Sequence, residues 1–197
     1  MKLTLILILV CAVFAAARAQ TDPALRAELI NLREVDQRAR EQCARGNADE
    51  QMKCLSETLE RVDKPNTDRL NEIFRQHGLP TEKSIGKDGV QAFLLILQHA
   101  PDESLRQKLL KPVTKAFKRK EISPMDFANY IDRLLVRQNK PQIYGSNFEI
   151  KEGKLVMSET RKRKDLNKRR QKIGLPTIEE YAKKLKEIYN LEVEISN

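Results

Sequence analysis

The stretch 90–97 contains Phe93, Leu94, Leu95, Ile96 and Leu97 in unbroken succession and is the most hydrophobic part of the chain after residue 19. A helix that is apolar around most of its circumference has to be buried. This stretch is therefore expected to form the central helix of the fold.

Its neighbours show the one-sided apolar spacing of amphipathic helices. Asp22-Pro23 is a helix start: a carboxylate is free to cap, and proline takes the first helical position, where no amide donor is missed. Leu25, Leu29, Leu32 and Val35 then recur at helical spacing. After the Gly46-Asn47 turn, a second helix is expected to run to about residue 62, with Met52, Leu55 and Leu59 on one face. Lys64-Pro65-Asn66 is expected to interrupt it, and a third helix covers about 67–77 before Gly78 and Pro80 stop it. Ala100-Pro101-Asp102 ends the central helix and begins another. Ser123-Pro124-Met125-Asp126 is a capping box opening a helix to about residue 138, with Phe127, Ile131, Leu134 and Leu135 on its buried face. Thr177-Ile178-Glu179-Glu180 is a second box, opening a last helix through Tyr181, Leu185 and Ile188.

After Pro141 the period shortens. Ile143, Tyr144, Phe148 and Ile150, then Leu155, Val156 and Met157 beyond a Gly153 turn, read as two short strands. The expected fold is mainly α, a compact multi-helix domain with one short β-hairpin near residues 142–158. Residues 20–62 read as an N-terminal helical hairpin, and 63–197 as the core with a basic segment at 161–172. No internal repeat or long linker divides it.

The chain opens with Met1-Lys2, an apolar run over 3–17, and Ala17-Arg18-Ala19 before Gln20. Charged start, apolar run and small-x-small site make a secretory signal peptide, with cleavage expected after Ala19. The alternative is a membrane anchor, for which the run falls short of the roughly 20 residues a spanning helix needs. Cleavage takes Cys11 with it and leaves Cys43 and Cys54, an even pair expected to form a disulfide in an oxidising route. The expected location is therefore extracellular. No Asn-x-Ser/Thr sequence occurs, so N-glycosylation is not expected.

The chain carries 37 Lys and Arg against 28 Asp and Glu, and loss of Lys2 and Arg18 with the leader lowers its formal charge from +9 to +7. With no tryptophan and 5% aromatics there is little to stack on bases, and nucleic acid is not expected as a partner. There is no His-Glu-x-x-His, and His77 and His99 are the only imidazoles, so neither a metal nor another cofactor is expected. Gly86-Lys87-Asp88-Gly89 lacks the spacing of a phosphate-binding loop, and Ser146 lacks a Gly-x-Ser-x-Gly elbow.

Several polar residues remain. Both histidines fall at predicted helix C-termini, where an imidazolium is favoured by the helix dipole. For His77, before Gly78, capping or packing is a full account; His99, ending the apolar helix, reads equally as structural or functional. Asp132-Arg133 reads either as a surface ion pair or as a carboxylate orienting a base beside a guanidinium that clamps an anion. Gln142, Tyr144 and Gly145 suit a pocket wall, and suit a strand beginning after a turn as well. The run 161–172 holds eight cations and one anion. It is either a solvated helix face or, through Lys168, Arg169 and Arg170, a contact for an extracellular polyanion such as a glycosaminoglycan or an anionic membrane surface.

With these residues in view, the chain resembles a family catalogued as domain of unknown function 6624. The stretches that carry the resemblance are Asp36-Gln37-Arg38-Ala39-Arg40, Asp68 with Asn71 leading to His77-Gly78-Leu79-Pro80, and Gln98-His99-Ala100. Asp132-Arg133, Gln142-Ile143-Tyr144-Gly145, and Arg170 followed by Gly174-Leu175-Pro176 and Tyr181 complete the set. Leu79 stands where the pattern has tryptophan, and Ser146-Asn147 where it has threonine and glutamine. The resemblance implies no known reaction. It implies one polar site made of Asp36, Arg40, His99, Asp132, Arg133, Gln142 and Tyr144. The reading of the sequence is thus a secreted helical protein in which His99, as proton-transfer group with Asp132 as its carboxylate, and Arg133, Gln142 and Tyr144 converge on a pocket for a small or anionic ligand.

Overall fold

Helix α1 (Pro23–Cys43) starts where expected: Asp22 Oδ1 accepts the amide of Leu25 at 2.9 Å, and proline occupies the first turn. The computed structural model describes residues 22–195, so the expected leader and its cleavage site lie outside the described residues. The central helix is α4 (Glu82–His99), bent at Gly86, whose φ of 73° only glycine adopts without strain. Val90, Phe93, Leu94, Ile96 and Leu97 are buried along it. Helix α1 packs along α4 through Leu25 and Leu29. Leu70 and Ile73 of α3 (Lys64–His77), Leu105, Leu109 and Val113 of α5 (Glu103–Lys118), and Phe127 and Tyr130 of α6 (Pro124–Arg137) complete the same core. Each large apolar side chain so buried contributes about 1.5–3 kcal/mol.

The N-terminal hairpin differs from expectation in two respects. Helix α2 (Ala48–Thr58) leaves Met52 and Leu55 68% and 41% exposed, so its apolar spacing marks no buried face. It is tied to α1 instead by the Cys43–Cys54 disulfide, with Cα atoms 5.3 Å apart. Nor does Lys64-Pro65-Asn66 break the chain. A π-helical turn, Leu59–Asp63, runs straight into α3, and the Lys64 amide reaches back five residues to the Leu59 carbonyl. Proline is the second residue of α3, and the wider π-helical turn before it accommodates its ring and its missing N–H.

Past α6 the chain is less regular. Strands β1 (Phe148–Lys151) and β2 (Lys154–Met157) form the hairpin, with Phe148 opposite Met157 and the turn at Glu152 and Gly153, both at positive φ. The hairpin is shorter than expected because Ile143 and Tyr144 belong to a loop, not a strand. A third strand, β3 (Glu192–Glu194), pairs parallel to β2, and its three residues are too few to show a period. Between them lie α7 (Leu166–Lys172) and α8 (Ile178–Tyr189), the latter opened by the Thr177–Glu180 capping box. Leu166 and Ile178 pack with Met157 in a second, smaller core.

Candidate functional site

His99 ends α4, and its ring faces the middle of α1. Nδ1 lies 2.9 Å from both carboxylate oxygens of Asp36, which is fully buried. Burial opposes the Asp36 charge, but hydrogen bonds and charge from His99, together with Gln37 and Arg40, more than offset it and hold the carboxyl below its ordinary value. An ionised carboxylate can only accept, so in this contact Nδ1–H donates. Nε2 then makes no hydrogen bond among the described residues, and the imidazole side chain is 23% exposed. Arg40, one turn beyond Asp36, places its Nε 3.0 Å from the same Nδ1 and its Nη2 3.2 Å from Asp36 and 2.6 Å from Asp63. With Nδ1 already a donor, the guanidinium is held by the two carboxylates and not by the ring. Asp63 comes from the π-helical turn, so α1, α4 and that turn meet at one cluster.

Guanidinium groups from α6 extend the cluster. Arg137 donates from Nη2 to the carbonyl of Gln98 at 3.0 Å, next to His99. Burial lowers its pKa, the charges of Arg106 and Arg133 lower it further, and Glu103 and Asp63 oppose them. Arg133, one turn earlier, has its Nε buried without a hydrogen-bond partner among the described residues, and burial lowers its pKa too, with Glu149 opposing. Asn66 of α3 is likewise buried with its Nδ2 unpartnered. Arg137 thus sets a cation beside the end of α4, and Arg133, one turn back along α6 and near Glu149, adds a second whose buried Nε has no acceptor among the described residues.

Asp132, expected to orient His99, is occupied elsewhere. Its fully buried carboxylate accepts the amides of Ile143 at 2.7 Å, Tyr144 at 3.0 Å and Ser146 at 3.0 Å, and the Ser146 hydroxyl at 2.9 Å. Burial raises its pKa, and the amides of Tyr144, Ser146 and Ile143 pull it back. Gln142 is also buried, donating to the carbonyls of Asn147 at 3.1 Å and Ser158 at 2.8 Å and accepting the Asn147 amide at 2.9 Å. Tyr144 is held by its backbone, with its ring tilted against Phe127. Arg170 closes the frame: its buried guanidinium donates to the carbonyls of Tyr144 at 2.6 Å and Pro176 at 2.7 Å and lies 5.0 Å over the Tyr181 ring. These side chains hold loop 141–147 in place rather than facing a common cavity.

A sequence model for a family described as one of unknown function matches residues 23–194. The chain belongs to the DUF6624 family. No curated protein and no solved structure matches it. The DUF6624 region runs from α1 into β3 and takes in both the His99 cluster and the Asp132 frame. Of the seven residues expected to form one site, Asp36, Arg40 and His99 meet directly, Arg133 adjoins them through Arg137, and Asp132, Gln142 and Tyr144 form the separate frame.

Two members of the DUF6624 cluster were not expected from the sequence. Asp63 lies in the π-helical turn, which leaves no mark in the apolar period. Arg137 reads as a basic residue in the last turn of a helix. The basic segment also divides. Lys168 is exposed, whereas Arg169 donates to the carbonyls of Ile143 at 2.8 Å, Lys162 at 3.2 Å and Arg161. Arg170 is out of reach of any surface ligand.

Proposed function

We propose that this DUF6624 protein is secreted and binds a small anionic ligand or substrate at the His99 cluster, with His99 as the group that moves a proton. The observation that carries this reading is the imidazole held through Nδ1 by buried Asp36, with Nε2 unbonded among the described residues and part of the ring open to solvent. A base fixed in one tautomer by a carboxylate and free at its other nitrogen is arranged for proton transfer. Arg133 and Arg137 supply the reason for an anion. Arg137 reaches the Gln98 carbonyl beside His99, Arg133 one turn back repels it, and the buried Nε of Arg133 has no acceptor among the described residues. A carboxylate or phosphate accepts from such a pair in the forked geometry guanidinium prefers. Asp36 takes the part read from the sequence for Asp132. Secretion rests on the leader and on the disulfide, a bond that persists in oxidising compartments.

The test is a thermal-shift and NMR titration of the mature chain with inorganic phosphate, a sugar phosphate and citrate, repeated for Arg133→Gln and His99→Gln. The reading expects at least one of these anions to stabilise the wild type and perturb the His99 ring signals. Arg133→Gln should abolish binding, and His99→Gln should weaken it while circular dichroism stays unchanged. If none of the three anions binds, or if both folded variants bind as the wild type does, the reading fails.

A further inference from the structure

The His99 reading leaves the basic segment unused, and the structure gives that segment a definite shape. Arg161, Lys162, Lys168 and Lys172 line an open cleft of about 380 Å³ with Arg169 and a single acid, Asp165. Those four cations are exposed and make no ion pair among the described residues. Some surface cations elsewhere are paired, as Arg26 is with Asp88, Lys64 with Glu60 and Arg69 with Glu28, but what sets these four apart is that they share one concavity. The cleft is also firmly held. The Arg169 guanidinium donates to the carbonyls of Ile143, Lys162 and Arg161, which pins the 161–162 turn onto α7 and keeps Lys162 at a φ of 43°. Like charges fixed around one concavity repel one another until an anion enters, and a rigid arrangement loses little entropy when it does.

The lining selects among anionic partners. Ile143 is its one apolar residue, and none of the large exposed hydrophobic side chains belongs to it, so it has nothing to insert into a bilayer. No aromatic ring lines it, so there is nothing on which bases stack. We propose that the cleft binds an extended acidic polysaccharide, sulfated or carboxylated, through Arg161, Lys162, Lys168 and Lys172. This site shares no residue with the His99 cluster and stands or falls independently of it.

Heparin is the probe. The mature chain is applied to immobilised heparin in a salt gradient and titrated with free heparin. Two triple variants of equal charge accompany it: Lys162→Gln/Lys168→Gln/Lys172→Gln in the cleft, and Lys53→Gln/Lys108→Gln/Lys183→Gln on exposed positions outside it. Each is checked by circular dichroism, and each is sedimented with vesicles of phosphatidylglycerol and phosphatidylcholine in equal parts. We expect salt-sensitive heparin binding that weakens about tenfold in the cleft variant and less than twofold in the other, with no protein following the vesicles. Equal weakening in both variants would mean that net charge alone is responsible and would overturn the proposal. Absence of heparin binding would overturn it too, as would vesicle binding that the cleft variant abolishes.

Discussion

Nδ1 of His99 and the two carboxylate oxygens of Asp36 are 2.9 Å apart although 63 residues separate them in sequence. The contact exists because α1 and α4 pack along one another through an apolar seam, which brings the last residue of α4 against the middle of α1. A fully buried carboxylate at such a place needs compensation. His99, Arg40 and Gln37 provide it.

Asp36 therefore contributes to stability in a pH-dependent way. Its carboxyl lies below the ordinary 3.8 in the folded chain. The stability it supplies is fully present above the unfolded value and is lost as pH falls through the lower, folded one. Asp36→Asn is expected to cost roughly 2 kcal/mol at neutral pH and to lose less stability than the wild type on going to pH 3. Urea denaturation at a series of pH values checks this, and parallel stability curves for the two proteins would contradict it.

The disulfide carries a different load. Helix α2 buries little, so the Cys43–Cys54 bond is its main tie to α1. Closing a loop of this length is worth about 2–3 kcal/mol in the chain-entropy account. Cys43→Ser/Cys54→Ser is expected to lose that much stability. Hydrogen exchange should accelerate in α2 and the following π-helical turn before it does in α4. Unchanged exchange in α2 would show that packing, not the bond, holds that helix.

Gly145 and Gly153 both have positive φ, of 67° and 75°, but only one is crowded. A Cβ at Gly145 would lie 3.1 Å from Leu166 Cδ2 and 3.2 Å from Met157 Sδ, whereas at Gly153 it meets nothing within 4 Å. Gly153→Ala is expected to cost about 1 kcal/mol for backbone conformation alone. Gly145→Ala adds the displacement of the second core and is expected to cost about 3 kcal/mol. Chemical denaturation of the two variants gives the comparison, and equal losses would mean that the core yields freely.

What the sequence made legible follows the range of the interactions. Caps at Asp22, Ser123 and Thr177 and the apolar run through Phe93 are local signals, and the corresponding helices are present. The π-helical turn at Leu59–Asp63 was hidden because Lys64-Pro65 looks like a break whether the helix ends or merely widens. Met52 and Leu55 have the spacing of a buried face, yet burial requires a neighbour, and spacing does not reveal one. For the same reason Asp132 and Asp36 were interchangeable in the sequence. Both are acids on amphipathic helices, and only tertiary packing decides that Asp36 meets His99 while Asp132 meets the loop amides.

Substitutions in the basic segment are expected to fall into two classes, and Lys168 and Arg170 mark the extremes. Lys168 is exposed and makes no ion pair among the described residues, so Lys168→Gln should leave the melting temperature within about 1 °C of wild type. Arg170 is fully buried and bridges the carbonyls of Tyr144 and Pro176 across 26 and 6 residues of sequence. Its remaining Nη2 has no hydrogen-bond partner among the described residues, and the Tyr181 ring 5.0 Å away supplies the electrostatic complement. Lysine offers one compact ammonium where the frame needs a planar fork. Arg170→Lys is thus expected to lose about 3 kcal/mol, a fall in melting temperature of roughly 6–12 °C, with loop 141–147 becoming accessible to protease. A melting temperature for Arg170→Lys as close to wild type as that of Lys168→Gln would mean that the loop is held by the Asp132 nest alone.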